Sequence, residues 1–306
     1  MVKIFTDTSS LFTPAQGKEK GFVVAPLTVT IAGKTYRERE EIETPEFIDI
    51  INQGHLPTSS QPSPADLMAV YETATAENPV IHITITDGLS GAYQSACGVR
   101  EMMDNKEYIT VFNSGSLCGP QWMMVRKAVE MAKAGATVDE ILAQLTFLKD
   151  NDKSFLIPQD FDYLRRGGRL TPAAAKVGSL LRLVPLMTQT ADDKQLEKAG
   201  LCRSFGKAVE KCIETFHKIG VGEKHMIMIS HAMNLTEANQ AKDMLAKEFP
   251  ACRVEVVDLT PAFTTQGGPR CVAIQSMIDT TSTACVCGIT IFCTGWCCDF
   301  AFIAVS

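Results

Sequence analysis

Three short stretches carry residue types that could do chemistry. The first is Asp87-Gly88-Leu89-Ser90-Gly91-Ala92, which places a serine between glycines. It follows the strand-like run PVIHITIT and opens onto a helix-like run, so it nearly matches the G-x-S-x-G turn of nucleophilic serine enzymes. His231 as base and Asp192 or Asp193 as its orienting acid would complete a hydrolase in the order Ser, Asp, His. The same residues support a chemistry without a nucleophile. A helix N-terminus offers unpaired N–H groups and partial positive charge, so the Ser90 hydroxyl with the N–H groups of Gly91 and Ala92 could hold a carboxylate. Gly91 lacks a Cβ and would let a ligand approach closely.

The second stretch, Pro57-Thr58-Ser59-Ser60-Gln61-Pro62-Ser63-Pro64, is dense in hydroxyls and reads as a rigid turn. Ser63 before Pro64 is a helix cap. Ser59 and Ser60 are not needed for that cap and remain for a ligand. The third stretch, Tyr163 to Leu170, sets Gly167 and Gly168 between arginines, so Arg169 could add a forked donor to an anion.

Strand and helix signals alternate through the first half. KIFTDTS, PVIHITIT and YITVFNS read as strands, and VAPLTVTI and TYRE form a hairpin turning at Gly33. Thr44-Pro45 and Ser63-Pro64 open helices, and Thr137 to Glu140 is a capping box. Such alternation predicts a parallel α/β sheet, whose ligands bind beyond the carboxyl ends of the strands. The turns Asp7 to Ser10, Asp87 to Gly91 and Asn113 to Gly115 should therefore converge. After about residue 154 the pattern changes. A hairpin, LVPLMTQT to QLEKAGLCRS, is followed by helices between antiparallel-looking strands. The expected organisation is an N-terminal α/β domain over 1–153 and a C-terminal α+β domain over 154–278, with the ligand site in the cleft between them.

Composition bounds the function classes. The chain has 306 residues, 45% hydrophobic and 21% charged, with a net charge of −6. The isoelectric point is about 5.5, so the basic field that nonspecific nucleic-acid binding needs is missing. The N-terminus shows no secretory h-region. Six of the 11 cysteines are scattered without a framework spacing, as expected of reduced thiols in a cytoplasm. The other five lie in the apolar stretch 279–306. Its C-x-C and C-C spacings do not fit zinc, and it lacks the basic flanks of a membrane span. It reads as an added strand, an extension without fixed structure, or a shifted reading frame.

Taken together, the motifs resemble the DegV family, which includes bacterial fatty-acid-binding proteins. Asp7-Thr8-Ser9 resembles the opening D-S-T element, Ser59 to Ser63 the T-S-Q-P-S motif, and Leu89 to Ala96 the L-S-G-T-Y-Q-S-A motif. Tyr163 to Leu170 resembles Y-L-x-x-G-G-R-I, and Gly268-Pro269 falls in the H-T-G-P-G segment. The resemblance implies a two-domain protein with a long-chain fatty acid in an interdomain tunnel. Its carboxylate would be held by Ser59 and Ser90, with Gly91 and Ser60 beside them. Arg169 and Gln266 would lie near the head group or a partner contact. It also implies a non-catalytic carrier that presents the acyl carboxylate to a separate fatty-acid kinase, with no cofactor and no metal. Gln266 replaces the family's histidine, Arg270 a glycine, Val184 a lysine and Ala92 a threonine, so ligand holding is better preserved than the hand-over. The two chemistries part on one reagent. A fluorophosphonate labels Ser90 covalently if it is a nucleophile, and a carrier leaves it unlabelled.

Overall fold

The computed structural model describes residues 1–176 and 183–281. The end of the predicted helix AAAKVGSLL and nearly all of the Cys-rich tail lie outside the described residues. The first half begins with strand β1 (Lys3–Asp7), helix α1 (Pro14–Lys20) and strands β2 (Val23–Ala25), β3 (Thr28–Ile31) and β4 (Lys34–Arg37). Next come α2 (Thr44–Asn52), β5 (Thr58–Ser60), α3 (Pro64–Tyr71), β6 (Val80–Thr84), α4 (Ala92–Glu101) and β7 (Ile109–Asn113). Two long helices, α5 (Gly119–Lys133) and α6 (Val138–Lys149), close that half. The second half holds β8 (Lys153–Ile157), α7 (Phe161–Gly167), α8 (Pro172–Ala175), β9 (Val184–Gln189) and β10 (Leu196–Cys202). It continues with α9 (Phe205–Lys218), β11 (His225–His231), α10 (Leu235–Glu248), β12 (Arg253–Asp258), α11 (Pro261–Gly267) and β13 (Val272–Ile278).

Three sheets form among the described residues. The predicted parallel sheet is present, in the order β2-β1-β6-β7. All five residues of β6 are buried, as a parallel strand covered on both faces requires. One of them, His82, stacks on Phe5 at 4.0 Å and pairs with the Tyr71 hydroxyl at 2.7 Å. The predicted hairpin, β3 with β4, turns through Ala32 and Gly33, both at positive φ. Its third strand is β5. The hydroxyl-rich stretch is therefore an edge strand over Thr58–Ser60, where a rigid turn was expected. Its backbone pairs with Thr28 to Thr30, and prolines bracket it on both sides.

The third sheet runs β10-β9-β8-β13-β11-β12. It is mostly antiparallel, as expected. The exception is β11 with β12, which are parallel and joined through α10.

Helix α5 is the layer common to the two larger sheets. Trp122, Met123, Met124, Val125 and Val129 pack in one core with Ile4, Ile81 and Ile83 of the parallel sheet and Met226, Met228 and Met277 of the six-stranded one. Its first N–H is not left unpaired. The Gln275 side chain on β13 accepts from Gly119 N–H at 3.0 Å and donates to Leu117 carbonyl at 3.0 Å and Ser154 Oγ at 2.8 Å. A Cβ on Gly119 would lie 2.9 Å from the Met277 methyl and 3.0 Å from the Met228 sulfur, so glycine lets the start of α5 pack close to β11 and β13.

The caps follow the sequence with one correction. Ser63 and Thr137 accept from the third helical N–H as predicted, and Glu140 completes the capping box. Thr44, however, makes no cap. Its hydroxyl donates to Leu259 carbonyl at 2.6 Å, tying α2 to the loop before α11.

Gln275→Leu keeps the volume and removes three hydrogen bonds. It strands a buried N–H and a carbonyl, each worth about 1–3 kcal/mol. The unfolding free energy from urea titration should fall by roughly 2–4 kcal/mol; a loss below about 1 kcal/mol would contradict this role.

Candidate ligand-binding site

Two of the three predicted turns meet. Asn113 Oδ1 accepts both Asp87 N–H and Gly115 N–H at 3.1 Å, which fixes the start of the Ser90 turn. The Asp7 turn lies near them but is fully buried. Its Ser9 carbonyl accepts Cys118 N–H at 2.9 Å. The Asp7 carboxyl faces Ser9 and Gln121, and burial lifts it to about 6. That turn braces the site without lining it.

Beside the Ser90 turn is a small polar pocket. Ser59, Ser60, Ser90, Gly91, Arg169 and Gln266 all border it, so the six predicted residues come together from four separate segments. Ser59 is half-buried, whereas Ser60, Gln61 and Gly91 are exposed at the rim. Gln61 was not expected. A Cβ on Gly91 would point at its amide, 3.4 Å from Oε1. Gly91 has φ −75°, so its value there is open space at the rim and not backbone freedom.

Each of the two serines is already an acceptor. Ser90 Oγ accepts Ala92 N–H at 3.2 Å. That N–H is consequently spent and does not reach a ligand, contrary to expectation. Ser59 Oγ accepts from Gln266 Nε2 at 3.1 Å. A hydroxyl has one proton to donate. An N–H bound to each oxygen leaves each hydroxyl its proton and a second lone pair. Two such protons at one pocket can serve the two oxygens of a carboxylate.

Gln266 reaches Ser59 because α7 ends in glycines, and the two glycines serve different ends. A Cβ on Gly167 would meet Gln266 Oε1 at 2.3 Å, so the amide lies directly over that backbone. Gly168, at φ +72°, is the left-handed C-cap that turns the chain toward Arg169. Arg169 donates from Nε to Leu89 carbonyl at 3.0 Å and from Nη1 to Gly167 carbonyl. It thereby pins the Ser90 turn to the end of α7.

Beside the polar pocket lies a larger, mainly apolar cavity. Ile85, Leu89, Arg169, Phe263 and Gln266 border both, so the two adjoin. The larger one is walled by Leu117, Phe155, Leu156, Leu164, Met187 and Leu196 among others, drawn from both halves of the chain. Met187 is the methionine on its wall, while Met123, Met124, Met226, Met228 and Met277 belong to the core. Its polar wall residues are turned on one another. Gln189 donates to Gly115 carbonyl at 2.9 Å, Thr188 to Ser154 carbonyl at 2.9 Å, and Gln275 to Ser154 Oγ. What remains is an apolar bore with a hydroxyl-lined mouth.

The hydrolase arrangement does not form. His231 borders neither cavity. Its Nδ1 accepts Asn234 N–H at 3.3 Å and lies 3.4 Å from Asp258, and burial holds the ring below its ordinary pKa. Asp192 accepts from Thr190 and Lys194, and the Asp193 carbonyl accepts from Thr86. Among the described residues no hydrogen bond links Ser90 to a histidine, and no group of three or more His, Cys, Asp or Glu could hold a metal.

The fold is a mixed α/β one that sets an apolar cavity beside a pocket bordered by serine hydroxyls. Comparison with known proteins then gives the family. A model described as "Uncharacterised protein, DegV family" matches residues 1–279, and the chain belongs to that family. A DegV domain-containing protein of Listeria innocua is 31% identical over 274 residues, covering 87% of this chain and 95% of that one. A structure described as fatty-acid binding by a DegV family protein of Thermus thermophilus superposes with a TM-score of 0.81 at 28% identity, over 90% of this chain and 99% of that one. DegV of Bacillus subtilis, described as a fatty acid binding protein, gives 0.79 at 26% identity, over 91% and 99%.

Two thiols border the bore. Burial pushes Cys118 well above the ordinary thiol value and Cys271 up to about 12. The thiolate is the reactive form, so neither should be alkylated by iodoacetamide at pH 8 in the folded protein. Rapid modification of Cys118 or Cys271, mapped by peptide mass, would contradict the described burial.

Proposed function

We propose that this protein is a carrier for a long-chain fatty acid, with the chain in the bore and the carboxylate between Ser59 and Ser90. The observation that carries the reading is that an apolar cavity adjoins a serine-lined pocket, with Leu89, Phe263, Arg169 and Gln266 bordering both. An apolar chain gains about 0.8 kcal/mol per buried CH₂, so the bore supplies most of the affinity. The serine protons need only satisfy and orient the carboxylate as it leaves water. Relatives with a matching fold and 26–28% identity are described as fatty-acid binding, which supports the same ligand class here.

In this reading the protein performs no chemistry on its cargo. Residues 1–153 and 154–278 are the two lobes around the ligand, and the carboxylate is offered to a fatty-acid kinase in the cytoplasm. Rim exposure of Ser60, Gln61 and Gly91 supports that presentation, since the head end of the site is the end that a partner reaches. Gln266 takes the histidine's place and donates to Ser59, so a neutral donor stands where the family has a titrating group. No helix among the described residues is long and apolar enough to cross a membrane.

Mass spectrometry of lipid extracted from gently purified protein should show long-chain acids. Finding none, and no binding on titration, would end this reading. Ser90→Ala should weaken binding by about 1–3 kcal/mol, the cost of a carboxylate oxygen left without its donor. That is a loss of about 5- to 150-fold in affinity; an unchanged Kd would remove Ser90 from the site.

A further inference from the structure

One buried acid is absent from the site as described and yet touches the parts that build it. Glu38, just after β4, has no exposed surface. Its carboxylate accepts the Thr8 hydroxyl on one oxygen and Ala262 N–H, at 2.7 Å, on the other. The Glu38 N–H donates to Leu27 carbonyl at 3.0 Å, and Leu27 N–H donates to Thr8 Oγ1 at 3.0 Å. One residue, through its side chain and its backbone N–H, thus joins the end of β1, the segment leading into β3, and the first turn of α11. The consequences for the pocket are direct. Leu27 and Ala262 are on its wall. Gln266 lies four residues after Ala262, one turn along the same helix face, and is the donor to Ser59. Phe263 stands where the pocket meets the bore.

We propose that Glu38 is a positioning residue for the ligand site: its carboxylate holds the first turn of α11 against the β3–β5 sheet and so sets Gln266 on Ser59. A charged acceptor holds an N–H more strongly than a neutral one does. The ionised form is therefore the one that keeps α11 in place. Burial raises the Glu38 carboxyl to about 7, against the lowering effect of Thr8 and Ala262, so its charge changes within the working range. Two other titratable or charged groups feel it. Arg39, paired with Glu43 at 2.6 Å, favours the charge, and the Cys118 thiol is disfavoured from ionising by it. The neighbouring Asp7 is turned to Ser9 and Gln121. Fold stability has the opposite sign. An acid with a raised folded-state pKa binds more protons folded than unfolded between its two pKa values, so its contribution falls as pH rises from about 4.5 to about 7. The charge that orders the site is held at the expense of stability.

The inference rests on the fatty-acid reading, and the test separates the two. Kd for a fluorescent long-chain acid is measured for wild type, Glu38→Gln and Glu38→Ala from pH 5.5 to 8.5, with melting curves as folding controls. Wild-type binding at pH 8 tests the ligand reading alone. The ratio of Glu38→Gln to wild-type Kd cancels the ionisation of the acid itself. It should be 3- to 10-fold at pH 8 and approach one at pH 5.5, while Glu38→Ala binds weakly throughout. In melting curves, Glu38→Gln should lose part of the wild-type decline in Tm between pH 5 and 8. A pH-independent ratio near one would overturn the proposal, as would Glu38→Ala binding like wild type. If Glu38→Ala does not fold, the Glu38→Gln ratio still decides.

Discussion

The Gln266 amide donates to Ser59 Oγ, and what the head pocket can offer a ligand depends on that bond. A free serine hydroxyl can donate or accept. With one lone pair bound to an N–H, its proton is still there to donate. Ser90 is held in the same sense by Ala92 N–H, so each serine keeps a proton that a ligand at the pocket can accept. Reaching this state requires α11, β5 and the end of α7 to meet within one hydrogen bond. Gly167 makes room for the amide, Arg169 fixes the Ser90 turn to α7, and Glu38 and Thr44 attach α11 and its preceding loop to the N-terminal half.

Polarity is managed in the opposite way a few ångströms deeper. Gln189, Thr188, Ser154 and Gln275 border the bore, and their polar atoms answer one another or the backbone. A buried polar group without a partner costs free energy, and a pair of them satisfied internally is neutral toward an alkyl chain. The Gln275 bonds have a second effect. They join β13 to the N-terminus of α5, the helix on which both large sheets pack, so the bore wall and the core are built by the same contacts. The distinction between head and tail thus comes from where hydrogen bonds end, since polar residue types occur along both cavities.

Local signals carried much of this. The alternation of strand and helix signals and the caps located most elements: β6 is a β-branched run and α6 opens on a capping box. The six head-pocket residues were legible from the motif resemblance, and their convergence is what the fold added. Other features were not legible. Thr58 to Ser60 has turn composition and becomes a strand only because β3 offers an edge to pair with. Thr44 has the form of a cap, but the partner of its hydroxyl lies 215 residues away. Glu38 reads as an ordinary polar residue after a hairpin strand; its burial depends on α11, more than 220 residues later. The hydrolase alternative failed for a related reason. Sequence order allows Ser90, Asp193 and His231 to form a triad, but β11 carries His231 to Asp258 and Asn234, away from the pocket.

The central claim is that Ser59 and Ser90 together hold the ligand's carboxylate. A long-chain acid labelled with ¹³C at the carboxyl carbon reports on that contact directly by NMR. A single bound resonance is expected, shifted from its position in micelles. It should move again in Ser59→Ala and in Ser90→Ala, and stay in place in His231→Ala. A bound resonance unmoved by either serine substitution, or displaced by the histidine one, would contradict the assignment.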